Sequence, residues 1–68
     1  MEKINVREYI INNFKNDTDE ELKDAINDSI ALHDDDPLIG LGVLFELLWN
    51  NSNEEEKKII IANIKKGM

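Results

Sequence analysis

Thirteen consecutive residues, PLIGLGVLFELLW from Pro37 to Trp49, carry one charge, Glu46, in a chain of 68 residues of which 34% are charged. Whatever fold the chain adopts must take this segment out of water. A membrane crossing needs about 20 predominantly apolar residues, so the stretch is too short to be one. A phosphate-binding loop needs a terminal Lys-Ser/Thr or three glycines between a strand and a helix, and the GLG triplet Gly40–Gly42 supplies neither. The remaining reading is a buried helix. At about 100° per residue, Leu38, Leu41, Leu44, Phe45, Leu47, Leu48 and Trp49 cover well over half of its circumference. Only the side bearing Glu46, Ile39 and Asn50 is left for water.

Chain length makes such a helix hard to bury, because a domain of this size hides only about 60% of the surface its unfolded chain exposes. Cysteine is absent, which removes disulfides and thiolate metal sites and leaves efficient packing or self-association as the means of stabilisation. Gly40 and Gly42 sharpen that choice. Each costs about 1 kcal/mol relative to Ala inside a helix, so their presence predicts that another backbone comes close, either within one bundle or across a seam between two chains. The sequence favours the seam: a homodimer with Leu38, Leu41, Gly42, Phe45 and Trp49 in its interface, aromatic anchors being favoured in such places.

Start signals divide the chain into four helices and predict an all-α bundle forming a single domain over 1–68, with the apolar third helix as core. Asn5 with Glu8 resembles a capping box, and Ile4 and Tyr9 have the spacing of a hydrophobic staple. The first helix then runs to about Lys15, with Val6, Ile10 and Phe14 on one face. Thr18 and Glu21 form the second box, followed by a stripe of Leu22, Ala25, Ile26, Ser29, Ile30 and His33. Asp36 is expected to cap the third helix, with Pro37 in its first position. Ser52 with Glu55 is expected to cap the fourth, which turns Ile60, Ile61 and Ile64 inward and ends at Lys65, Lys66 and Gly67.

Several functions are disfavoured by composition. A net charge of −7 repels a duplex whose phosphates reward neutralisation by Lys and Arg, so nucleic acid is not the expected partner. His33 is the only histidine, no Cys nucleophile exists, and the serines have no paired base at a readable spacing, so no catalytic residue is nominated. An EF-hand frame begun at Asp17 fails, with Leu22 where glycine is needed and Asp28 where a bidentate Glu belongs. Asp34, Asp35 and Asp36 read as a solvated cap rather than a cation cage. No cofactor, metal or membrane contact is expected. The start MEKINVREYI lacks the basic and apolar regions of a secretory signal, which points to a cytoplasmic protein.

One resemblance goes further than composition. The run LIGLGVLFELLW, preceded by DEELKDAINDSI and followed by NEEEKKIIIANI, resembles the small acid-soluble spore protein I family of spore-forming Firmicutes. Its most specific part is Gly40-Leu41-Gly42-Val43-Leu44-Phe45-Glu46 with Trp49 after it, and the likeness spans Asn5 to Gly67. Where the family pattern carries Pro directly before Gly40, this chain has Ile39. The resemblance implies a minor, non-enzymatic sporulation protein, made in the forespore and held in the spore core, with no biochemical role or protein partner assigned. A DNA-associated protective protein and a helical protein-protein interaction module are the alternatives. Acid solubility has a physical basis here: once the fifteen carboxylates are protonated, eight Lys and Arg plus His33 leave a strongly cationic, self-repelling chain.

Overall fold

A computed structural model of the chain describes residues 5–68. It is all-α among those residues, with α1 (Val6–Phe14), α2 (Asp19–Ala31), α3 (Asp36–Asn50) and α4 (Glu54–Lys66). Helices α1 and α2 both pack along α3, whereas α4 touches the rest of the molecule only sparsely. The proposed staple between Ile4 and Tyr9 lies outside the described residues.

The first two helix starts fall where local chemistry places them. The Asn5 side chain accepts from the Glu8 backbone N–H at 3.1 Å, half of the expected box. At α2 the box is complete, with Glu21 N–H donating to Thr18 Oγ1 at 3.2 Å and Thr18 N–H donating to Glu21 Oε1 at 2.9 Å. The other two starts each differ by one residue from expectation. Asp36 is already the first residue of α3, Pro37 follows it, and Asp35 is the cap residue, without a side-chain bond to the helix. Instead the Asp35 N–H donates to Asp34 Oδ1 at 2.7 Å. Likewise α4 is capped by Asn53 with Glu56, not Ser52 with Glu55. Asn53 Oδ1 accepts from Glu56 N–H and Asn53 N–H donates to Glu56 Oε1, both at 2.8 Å. Ser52 serves the preceding helix, donating its hydroxyl to the Leu48 carbonyl at 2.6 Å.

Helix α2 ends earlier than the stripe predicted. Leu32 closes it, its N–H donating to the Asp28 carbonyl, and His33 follows with φ of 50°, the left-handed conformation that glycine usually occupies after a helix. His33 is therefore off the packing face, and Ile30 is exposed as well. The core is small. Ile10 and Phe14 of α1, Ala25 of α2 and Leu41 and Leu44 of α3 converge around one hollow of about 280 Å³, and all five are half-buried. Val43, at 7% exposure, is the one buried side chain among the described residues.

Candidate functional site

The predicted interface residues occupy one face of α3. At 100° per residue Leu38, Leu41, Gly42, Phe45 and Trp49 fall within an arc of about 100°, and Val43 points nearly opposite its centre. Burial follows this division only in part. Val43 is buried and Leu38 and Phe45 are exposed, as is the neighbouring Leu48, but Leu41 and Trp49 of the face are half-buried, Leu41 reaching the core hollow, and Ile39 and Leu47 beside Val43 are exposed. The alternative to a seam is that Val6, Ile10, Phe14, Ile26, Ile30, Ile60 and Ile64 wrap α3 completely within one chain, and the exposure of Leu38 and Leu48 shows that they do not. Val6, Ile30 and Ile64 are themselves exposed, as is Ile61, which was expected to turn inward.

Two apolar hollows border the open face. One, about 420 Å³, lies between α2 and α3 and is lined only by aliphatic and aromatic side chains, among them Leu22, Ile26, Leu41 and Leu48. The other, about 400 Å³, lies between α3 and α4, with Trp49, Ile61 and Ile64 in its wall. Phe45 lines both and stands between them as a ridge. Its ring stacks against Trp49 with centroids 5.9 Å apart, and Lys57 of α4 places Nζ 5.1 Å from the centre of a Trp49 ring. That cation-π contact is one of the few ties holding α4 to α3.

Gly40 and Gly42 have no close neighbour within the chain. A Cβ at either would meet nothing within 4 Å outside the helix itself. The close backbone approach predicted from these glycines is thus not made inside the monomer. Leu38 and Gly42 instead border another hollow, shared with Val6 and Arg7 of α1.

Glu46 was expected to face water, and it faces α1. Arg7 donates Nε to Glu46 Oε1 at 2.7 Å and Nη2 to Oε2 at 3.0 Å, a bidentate pair linking residues 39 positions apart. The hydrogen bonds from Arg7, more than its charge, hold the Glu46 carboxyl below the usual carboxylate range, and the same bond raises the Arg7 guanidinium. The Glu21 carboxyl is likewise lowered by its bonds at the Thr18 cap. Among the described residues no cluster of three or more His, Cys, Asp or Glu side chains is arranged to hold a metal ion, and no helix is long and apolar enough to cross a membrane. The arrangement can present an apolar surface.

Comparison with known proteins agrees with the resemblance carried by the third helix. The family model for small, acid-soluble spore protein I matches residues 4–68. A small, acid-soluble spore protein I of Geobacillus kaustophilus is 37% identical over 65 residues, covering 96% of this chain and 94% of its own length. Another of that name from Bacillus cereus (strain AH187) is 34% identical over 64 residues, covering 94% and 93%. No solved structure matches the chain. A match along nearly the whole length on both sides places the chain in the small, acid-soluble spore protein I family, a family of spore proteins that are not enzymes.

Proposed function

We propose that the chain works in the spore core, after synthesis in the forespore, by making protein contacts rather than by coating DNA. One observation carries this reading: an uncharged, largely exposed face of α3 set in a molecule of net charge −7. A surface of that kind repels polyphosphate and has apolar area to offer a protein. Family membership supports the spore location. It leaves the biochemical role open, and the exposed face supplies the argument for contact.

Titration of duplex DNA at low salt tests the reading where phosphate contacts are strongest. No saturable binding is expected at micromolar protein; saturable binding there would favour the DNA-associated alternative. Fractionation of spores tests the location. The chain is expected to stay with the core after coat and cortex are stripped, and release with the coat would refute that placement.

A further inference from the structure

We infer that a second copy of this chain covers the open face of α3, in a two-fold pairing in which the Phe45 ridge of each protomer seats against the apolar hollows of the other. The inference rests on the reading of the chain as a contact-making protein and names its partner.

Area is the first argument. The chain exposes 6109 Å², whereas a folded monomer of 7.9 kDa exposes about 4,400 Å² by the usual scaling with mass. Even if the four N-terminal residues contributed their full extended-chain area, about 170 Å² each, an excess above roughly 1,000 Å² would remain. Stable homodimers bury about 1,000 Å² or more from each protomer. The surplus on one chain is therefore about what one identical partner hides.

Shape is the second. A two-fold interface brings the same patch together twice, so that patch must carry both a projection and its receptacle. Here Phe45 projects between the 420 Å³ and 400 Å³ hollows, and both hollows have mainly apolar walls. Gly42 is the third. With open space beside Gly42, its loss of helix propensity, about 1 kcal/mol, is offset by nothing inside the monomer, and close approach of a second backbone gives it a purpose; Gly40 lines the core hollow on the other side of α3 and takes no part. An anionic membrane surface fits less well, because it repels a chain of charge −7.

Sedimentation equilibrium of the full chain from micromolar to millimolar concentration tests the pairing. A mass of twice 7.9 kDa is expected, with association strengthening as salt screens the repulsion between two acidic chains. Leu48→Glu places a charge beside the ridge, and Gly42→Gln fills the open position with a good helix former. Each should weaken dimerisation at least about tenfold, equivalent to 1.4 kcal/mol, while far-UV circular dichroism keeps its helical signal. Should Leu48→Glu unfold the chain, Gly42→Gln still decides the matter, since a Cβ at that position meets nothing within 4 Å in the monomer and the helical signal checks that the fold is kept. A monomer throughout, a dimer indifferent to Gly42→Gln, or a mass that climbs past the dimer would each overturn the proposal. Duplex binding by an intact dimer would instead overturn the functional reading and leave the pairing standing.

Discussion

Replacing Asn53 by Ala should loosen one helix and leave the others. Asn53 holds α4 through two 2.8 Å bonds exchanged with Glu56, and loss of an N-cap side chain costs about 1 kcal/mol. In a well-packed helix a loss of that size is spread over the whole fold. Helix α4 is not well packed: it has 13 residues, a length that is marginal in isolation, and it meets α3 mainly through Lys57 on Trp49 and a half-open hollow. A penalty of about 1 kcal/mol shifts its local equilibrium roughly fivefold toward the coil. The four helices have lengths of 9, 13, 15 and 13 residues, so full loss of α4 removes about a quarter of the helical ellipticity at 222 nm. Amide exchange read by NMR should show residues of α4 opening fivefold more often, with the amide of Val43 unchanged. Ser52→Ala should do much less to α4, because the Ser52 hydroxyl belongs to the end of α3. Equal exchange changes at Val43 and in α4, or a larger effect from Ser52→Ala than from Asn53→Ala, would refute the reasoning.

Val43→Ala removes two buried methyl groups and should cost about 1.6 kcal/mol at roughly 0.8 kcal/mol each, whereas Ile59→Ala, at an exposed position, should leave the urea midpoint nearly unchanged. His33→Gly relieves a left-handed residue at φ 50° and should raise stability by about 0.5–1 kcal/mol in the same melts; a loss would mean the histidine side chain contributes more than its backbone strains. Acid should weaken the fold through Glu46 and Glu21. Both carboxyls lie below their ordinary value of 4.5 in the folded chain, so their contribution is complete above that pH and is lost as pH falls through the lower folded values. A Glu46→Gln, Glu21→Gln variant should lose part of this acid dependence in urea melts between neutral and strongly acidic pH, and an unaltered dependence would contradict the assignment.

Local chemistry made the helices legible and left their mutual arrangement hidden. Thr18 with Glu21 has the favoured Ser/Thr-x-x-Glu form of the capping box, which sets it apart from the neighbouring Asp17 with Glu20. Ser52 and Asn53 offer the same pairing side by side, with Glu55 and Glu56, and only the demand of the Leu48 carbonyl for a donor separates them. The apolar circumference of α3 announced burial without saying which side would be buried. Val43 was overlooked for that reason, and Leu38 and Leu48 gave no sign that they would stay exposed. Nothing in sequence spacing links Arg7 to Glu46. The candidate face itself was legible as a set of residues, since helical periodicity alone puts Leu38, Leu41, Gly42, Phe45 and Trp49 together, but its exposure depended on how little α4 covers.

Trp49 is the only tryptophan of the chain, and its place between Phe45 and Lys57 makes it an optical gauge of one junction. An ammonium held over an indole and a phenyl ring stacked beside it set a particular emission energy and lifetime. When α4 swings away, the ammonium leaves and water reaches the ring, so emission should move to longer wavelength while the α1–α3 pair stays intact. A single unlabelled chain thus reports the detachment of its last helix in real time, separately from the unfolding of the rest.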